Sequence, residues 1–413
     1  MTGLYQASEL GPIPMDWQVC SLGSLGEALI GLTYTPSDVK AHGTLVLRSS
    51  NIQDEALAFD DNVFVDCDIP ERIKVRAGDV LICVRNGSRS LIGKAALLDS
   101  RVKGMTFGAF MAVYRSPIGP LVKYLLQSEI LKRQINEHLG ATINQITNKS
   151  LNSFRIPLAP SDAERDAITS ALGDIDKLLE GLDRIVAKKR DLKQAAMQQL
   201  LTGQTRLPGF QGEWAVKRLG ELGTTYGGLT GKSKADFGTG TATYVTFMNV
   251  MTNTVIDHTT FESVCVSPSE NQNRVERGDL LFNGSSETPE EVALCSLVTS
   301  DVSNLFLNSF CFGFRPRESA EADGLFLTYY IRSSNGREIM KSLAQGSTRY
   351  NLSKRALLAA EVTMPGLPEQ VAIATALADM DAELTALEAR RDKTRALKQG
   401  MMQELLTGKT RLV

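Results

Sequence analysis

The chain has 413 residues, and because a domain usually holds about 100–200 residues, it is long enough to form two or more hydrophobic cores. Its hydrophobic share of 43% and mean hydropathy of −0.10 are typical of a water-soluble protein, and no apolar run approaches the roughly 20 residues that a membrane-spanning helix needs. A net charge of −2 excludes the strongly basic surface of a nucleic-acid-binding protein that acts alone.

The six cysteines and three histidines are scattered along the chain, and no two cysteines form a Cys-x-x-Cys pair. This distribution predicts free thiols in a reducing cytoplasm and no zinc or other metal site. The first thirty residues include Glu9 and Asp16 and lack the apolar core of a signal peptide, which also favours a cytoplasmic protein.

Residues 1–12 are expected to be a loose lead-in, and an ordered domain is predicted over residues 13–160. Apolar and β-branched runs at 44–48 and 80–84 are bounded by glycine-containing turns, which predicts a curved, mostly antiparallel sheet. Residues 120–138 place apolar side chains at helical spacing and predict one helix.

A long helix follows within residues 161–207. Ser161 and the acidic first turn after it are typical of a helix start, and Thr202-Gly203 is typical of a helix end. At about 1.5 Å per residue, such a helix would be about 60 Å long. Its apolar residues recur at alternating steps of four and three, the seam of a coiled coil: Ile168, Leu172, Ile175, Leu179, Leu182 and Val186.

The second half of the chain repeats the first. Residues 190–207 and 395–412 are identical at 13 of 18 positions, with Lys193 aligned to Lys398 at an offset of 205. The repeat predicts a second domain over residues 208–365 and a second long helix within 366–413. Its seam is Ile373, Leu377, Met380, Leu384 and Leu387, with Arg391 in the place of Val186.

Two matched seams in one chain can bury each other, and the internal repeat favours an antiparallel pair. The predicted fold is therefore α+β, with two pseudo-repeated globular domains, β-rich with short helices, separated by two long helices in an antiparallel coiled coil. The alternative is that each helix packs only on its own domain. We expect the two tryptophans, Trp17 and Trp214, to be buried core anchors at the start of each domain.

No motif supports catalysis. The chain lacks the Asn/Asp-Pro-Pro-Tyr motif of enzymes that methylate base amino groups. It also lacks the Phe-x-Gly-x-Gly loop that would bind a methyl donor. Residues 227–233 resemble a phosphate-binding loop, but Tyr226 stands where that pattern needs glycine. Glu287, Glu290 and Glu291 are interpreted as a solvated loop. We therefore expect no catalytic residue and no cofactor.

The repeated tails carry a family resemblance. They read Leu-Lys-Gln…Leu-Leu-Thr-Gly-Gln-Thr-Arg-Leu and Leu-Lys-Gln…Leu-Leu-Thr-Gly-Lys-Thr-Arg-Leu, and they resemble the conserved regions of type I restriction–modification specificity subunits. Other segments resemble the N-terminal segment, the target recognition domains and the spacer helix of that family: 8–17, the Gly-Asp turns at 78–81 and 278–281, the Gly-Ala/Ser-Thr segments at 140–142 and 346–348, and 384–390.

The resemblance implies target recognition domains at 13–160 and 208–365, and conserved spacer helices at 161–207 and 366–413. It implies a non-catalytic subunit whose two domains each read one half of a bipartite site in double-stranded DNA. The helices would set the half-site spacing and dock two methyltransferase (modification) subunits, and motor–nuclease (restriction) subunits would join. The whole complex would be a DNA adenine methyltransferase and ATP-dependent endonuclease in phage defence.

Base-reading residues are expected on loops, with side chains that can pair with base edges. Basic ones could instead contact phosphates. In the first domain the candidates are Thr33, Tyr34, Arg85, Asn86, Ser88, Arg89, Asn144, Gln145 and Lys149. In the second domain they are Thr230, Lys232, Lys234, Asn283, Ser285, Arg349, Tyr350 and Lys354.

Two other functions stay open at this point. The chain could be a coiled-coil adaptor that joins two protein partners without sequence-specific DNA binding, or, against the motif search, a stand-alone enzyme. Within the first interpretation, the partner could be a fused methyltransferase–nuclease polypeptide.

Overall fold

The computed structural model describes residues 5–139 and 144–412. The first Gly-Ala-Thr segment, at 140–142, lies outside the described residues. The chain divides into two units. The first consists of Met1–Asp183 with Ala389–Val413, and the second is Arg184–Glu388.

The first half of the chain has this element order: β1 Tyr5–Gln6, β2 Ile13–Pro14, β3 Gln18–Ser21, α1 Leu22–Leu25, β4 Glu27–Ile30, β5 Val39–Lys40, β6 Thr44–Leu47, β7 Ile52–Gln53, β8 Ala56–Leu57, β9 Phe64–Val65, β10 Val80–Cys83, β11 Ala95–Leu97, β12 Thr106–Phe107, β13 Met111–Arg115, α2 Gly119–Gln127, α3 Glu129–His138, α4 Asn148–Ser153, β14 Arg155–Leu158 and α5 Asp162–Leu200.

The second half repeats this plan: β15 Ala215–Arg218, α6 Leu219–Leu222, β16 Gly223–Gly227, β17 Phe237–Val245, α7 Phe247–Thr252, β18 Glu262–Val264, β19 Leu280–Asn283, β20 Ser285–Ser286, β21 Cys295–Leu297, β22 Leu305–Leu307, β23 Cys311–Pro316, α8 Gly324–Arg332, α9 Ser334–Leu343, β24 Tyr350–Asn351, α10 Lys354–Ala359, β25 Glu361–Met364 and α11 Leu367–Leu405.

Each unit is built on a four-stranded antiparallel sheet. The strand order is β11-β10-β13-β4 in the first unit and β21-β19-β23-β16 in the second. A smaller sheet lies beside each one and contains one parallel pair, β6 with β12 and β17 with β22. The predicted α+β class and the mostly antiparallel pairing are confirmed, and the two parallel pairs are additions that the sequence did not indicate.

The central strand β10 is buried on both faces, which explains its unbroken apolar sequence. Val80 and Ile82 pack into a core with α2 and the long helices, whereas Leu81 and Cys83 pack into a second core with the smaller sheet. Alternate side chains of a strand point to opposite faces, so a strand with a layer on each side needs apolar residues at every position. Burying each such side chain contributes about 1.5–3 kcal/mol.

Within each unit, α5 and α11 run antiparallel. In the first unit Asp176 of α5 contacts Lys398 and Asp183 contacts Arg391, so contact positions fall along α5 as they rise along α11. In the second unit the pairs Arg190–Glu388 and Lys193–Asp381 follow the same order, and Lys189 also contacts Glu383 across the two helices. The predicted antiparallel coiled coil is therefore confirmed.

Most of the predicted seam residues are buried, and those near the start of each helix pack into the core of its own unit. Ile168, Leu172, Leu182 and Val186 are buried on α5, and Ile373, Leu377 and Leu384 are buried on α11. On α11 the position equivalent to Val186 is Arg391, and its guanidinium forms ion pairs with Asp183 and Asp392.

In each unit the repeated tail that follows one long helix binds the first turn of the other long helix. Arg411 bonds to Glu164 and Asp16, and its guanidinium lies over Trp17, 5.8 Å from the ring centroid. Arg206 makes the equivalent bonds to Glu369 and lies over the second tryptophan. Because Glu164 and Glu369 are almost fully buried, each needs this cationic partner.

The tail glycines are required by the same packing. Gly203 and Gly408 have φ of +72° and +69°, a conformation that side chains disfavour. A Cβ at Gly408 would lie 2.5 Å from Pro14, and one at Gly203 would lie 3.2 Å from Trp214. Trp17 is buried as expected, whereas Trp214 is only partly buried.

Three sequence-based boundaries need correction. The helix expected over 120–138 is two helices, because Ser128 is extended (φ −82°, ψ 160°) and its hydroxyl donates to the Leu125 carbonyl. The helix expected to reach Thr202 ends at Leu200. Residues 5–12 are not loose, because β1 pairs with β2 and the Gln6 side chain donates to three backbone carbonyls.

Candidate nucleic-acid interface

In the first unit, three candidate-bearing segments meet around residues 108–110. Leu32 pairs with Gly108, which places Thr33 and Tyr34 beside this turn. The backbone amide of Arg85 donates to the Phe110 carbonyl at 3.1 Å. Arg85 also pairs with Gln145 across an antiparallel bridge. Segments far apart in sequence therefore form one surface.

The loop after β10 is held by its own polar groups. The Ser88 amide donates to Asn86 at 2.9 Å, and the Asn86 side chain reaches the Ser49 hydroxyl at 3.4 Å. The Asn144 side chain donates to the Gly87 carbonyl at 3.4 Å. Arg85, Ser88 and Asn144 are exposed, so the surface presents donors and acceptors on a fixed loop.

Arg89 and Lys149 lie towards the margin of this surface. The Arg89 guanidinium donates to the Asn136 carbonyl on α3 at 3.1 Å. Lys149 is exposed on α4, and the neighbouring Asn148 ties that helix to Ala28 of β4. Marginal cations suit phosphate contacts better than base contacts.

The second unit has an equivalent surface. Ser285 pairs with Asn351 and Ser286 with Tyr350, which joins β20 to β24, and both serines are buried. Arg349 precedes this pair and is exposed. Lys354, at the start of α10, is exposed, and its ammonium group lies beside Gly227.

Thr230 and Lys234 are exposed on the loops that flank residue 232. The Thr230 amide and hydroxyl donate to Gln272 at 3.1 and 3.4 Å. Lys234 begins a short helical turn that Ser233 and Asp236 cap.

Two further candidates of the second unit have side chains that are held by internal hydrogen bonds. Asn283 is fully buried in β19 and donates to the Ser285 and Glu291 carbonyls. The Lys232 ammonium donates to the Cys265 carbonyl at 2.6 Å and to Glu270 at 2.7 Å. Hydrogen bonds from Lys232, and to a smaller extent from the Ser267 amide and Gln272, lower the pKa of Glu270 to about 2. Neither side chain is free to reach a base edge.

Two exposed aromatic residues escaped the sequence analysis. Phe110 and Phe310 stand at equivalent turns, before β13 and β23, and are 57% and 58% exposed. The Arg85 guanidinium lies over the Phe110 ring, 4.9 Å from its centroid, and Arg349 lies over Phe310 at 5.6 Å. Alignment of the two Gly-Asp turns, at an offset of 200 residues, would have paired these phenylalanines.

Within residues 5–139 and 144–412, no group of three or more His, Cys, Asp or Glu side chains is arranged to hold a metal ion. No helix in the described part of the chain has the length and apolarity to cross a bilayer.

The sequence matches a known protein family. Residues 211–395 match the model of the type I restriction modification DNA specificity domain. The chain is 21% identical to the EcoKI specificity subunit of Escherichia coli K12, over 96% of this chain and 89% of the relative. It is 24% identical to the putative MjaX specificity subunit of Methanocaldococcus jannaschii, over 99% and 97% of the two chains.

Solved structures share the fold. The S subunit of a type I restriction–modification system from M. genitalium matches with a TM-score of 0.58 at 17% identity, over 94% of this chain and 96% of that one. A chain from a structural study of complex assembly and conformational transition in a type I system matches with a TM-score of 0.59 at 17% identity, over 96% and 99%.

Proposed function

We propose that the chain is a specificity subunit of a type I restriction–modification system, like the relatives that it resembles, and that its two units each read one half of a bipartite site in double-stranded DNA. The observation that carries the proposal is the duplicated surface: each unit gathers polar loops around the same turn, at Phe110 and at Phe310. Their side chains differ between the units, so we expect two different half-sites.

The net charge of −2 bears on how such a protein would hold DNA. Phosphate contacts supply much of the affinity of DNA-binding proteins through the release of counterions. With so little net positive charge, this chain would depend on partners for part of that attraction. We therefore propose that it binds DNA with two methyltransferase (modification) subunits, and that motor–nuclease (restriction) subunits join the complex.

The helix pair is proposed to serve both as a spacer and as the docking element for the methyltransferase subunits. α5 has 39 residues, which corresponds to about 58 Å at about 1.5 Å per residue. It begins in the first unit and ends in the second, and α11 does the same in the opposite order. A helix shared in this way would make the half-site spacing a property of its length and twist.

In this proposal the chain has no catalytic step of its own and acts in the cytoplasm, where the chromosome is. Adenine methylation and ATP-dependent cleavage would belong to the partner subunits. The chain's contribution is to bind one sequence and to position the partners on it.

The test is methylome sequencing of cells with and without this gene, in the presence of its operon partners. We expect a split motif with methylated adenine that disappears on deletion and returns with a plasmid copy. An unchanged methylome, in cells where the chain and its partners are expressed, would contradict the proposal and favour a protein adaptor.

A further inference from the structure

Phe110 and Phe310 each leave more than half of their surface exposed, and each belongs to one of the two candidate DNA-binding surfaces. The Phe110 carbonyl accepts the Arg85 amide at 3.1 Å, and the Phe310 carbonyl accepts the Gly284 amide at 2.9 Å. The backbone of each phenylalanine is therefore fixed to the loop after the central strand, while the ring projects from it.

The arginine over each ring comes from a different part of the repeat. Arg85 follows β10, and its counterpart in the second unit, at an offset of 200, is Ser285. The second unit instead supplies Arg349, which precedes β24. Because the two arginines are not equivalent in sequence, the pairing is not simply a relic of the duplication.

Folding does not account for these pairs. An exposed cation–π contact stabilises a fold only weakly, and an exposed ring contributes little to a core. Neither Arg85 nor Arg349 forms an ion pair with a carboxylate of the described residues, so both guanidinium groups keep free donors. Free donors beside an apolar ring are suited to an external ligand.

We propose that Phe110 and Phe310 are positioning residues for DNA reading, an inference that rests on the proposed function. Each ring holds its arginine in a fixed plane for bidentate hydrogen bonding to O6 and N7 of a guanine. Arginine with guanine is the commonest specific contact in the major groove, and a phenylalanine edge can contact the C5 methyl of a thymine. Each half-site should therefore contain a guanine next to a thymine.

The experiment uses the full chain with its methyltransferase partner and duplexes that carry the methylated motif of the wild-type system. Each base pair of both half-sites is changed singly, and competition binding gives the discrimination at each position. The variants are Phe110→Ala, Phe110→Tyr, Arg85→Ala and the Phe110→Ala/Arg85→Ala double variant, with Phe310→Ala as the matched variant of the other unit.

We expect Arg85→Ala to lose about tenfold discrimination at one guanine and Phe110→Ala to lose about two- to fivefold at the same guanine. At that guanine the double variant should equal Arg85→Ala, because there the ring acts through the arginine, and Phe110→Tyr should retain wild-type discrimination. Replacing the neighbouring thymine by uracil should weaken the wild type but not Phe110→Ala. Phe310→Ala should affect the other half-site only.

The inference is overturned if Phe110→Ala discriminates as the wild type does, or if it weakens every duplex equally. Thermal unfolding of Phe110→Ala should match the wild type, since the ring is exposed. If the wild type itself binds the motif and a scrambled duplex equally, the proposed function has failed, which is a different result from a failure of the two phenylalanines alone.

Discussion

Three donors converge on one carboxylate, Asp176 of α5. The ammonium groups of Lys123 and Lys398 lie 2.6 and 2.8 Å from its oxygens, and the Tyr124 hydroxyl donates at 2.8 Å. Burial raises the pKa of Asp176, but the hydrogen bonds from the two lysines outweigh it and hold the pKa below its usual range. This carboxylate joins α2 to both long helices of the first unit.

We expect Asp176→Asn to destabilise the first unit by roughly 3 kcal/mol, because it removes the carboxylate that pairs with the largely buried Lys123 and one of the two that pair with Lys398, which keeps Glu55. Urea unfolding in a Trp214→Phe background measures this, since Trp17 is then the sole tryptophan. Asp174→Asn is the matched control, since Asp174 is largely exposed and its ion-pair partner among the described residues is Lys177.

The stability difference between the wild type and Asp176→Asn should depend on pH. Because the folded-state pKa of Asp176 lies below 3.8, its contribution is fully present above that pH and is lost as the pH falls through the folded value. The stability difference between wild type and Asp176→Asn should stay constant from about pH 5 to 8 and shrink below about pH 4. A difference that grows on acidification would contradict this assignment.

The partners of single side chains are harder to predict from the sequence than helices and strands are. Lys193 and Lys398 are visible as repeated residues, but their partners Asp381 and Asp176 lie far along the chain and only the fold brings them together. Lys232 and Asn283 looked like readers because their residue types suit DNA. Burial and internal partners decide otherwise, and neither follows from local sequence.

Among the elements, α5 and α11 were the most predictable. Their apolar residues fall at regular helical steps, and a regular step is a local property of the sequence. The break between α2 and α3 was not predictable from that period, because the apolar pattern continues through Ser128 while the backbone does not. The same break recurs at Ser333 of the second unit.

Lengthening both long helices tests the proposal that they set the half-site spacing. Four residues would be inserted between Asp183 and Arg184 and four between Glu388 and Ala389, where the two units meet in sequence. The insertion adds about 6 Å and about 40° of twist beyond a full turn, and one DNA base pair turns by about 34–36°. We expect methylome sequencing to show a gap longer by about one base pair and both half-sites unchanged.

Both helices are lengthened together so that the contacts between them are kept in each unit. Asp183 still meets Arg391 in the first unit, and Lys189 still meets Glu383 in the second. Alanine substitutions at Arg184 and Arg390, without insertion, are the control for local disturbance. A motif that keeps its original gap in an active insertion variant would mean that the helices do not determine spacing.

For the whole molecule, the internal repeat is the most informative feature of the sequence. It predicts two units of one plan, and the structure shows the same antiparallel pairing in both, β10 with β13 and β19 with β23. It does not reveal that each unit is completed by the tail of the other long helix, as Arg411 and Arg206 complete theirs. That closure depends on antiparallel pairing over more than 150 residues of chain.

The measurement that tests the central claim most directly is the methylome of cells whose only copy of this protein carries residues 13–160 in place of 208–365. If each unit reads its own half-site, the motif becomes an inverted repeat of the half read by the first unit, and the reciprocal chimera gives the other half twice. Retention of the original two-part motif by either active chimera would contradict the account.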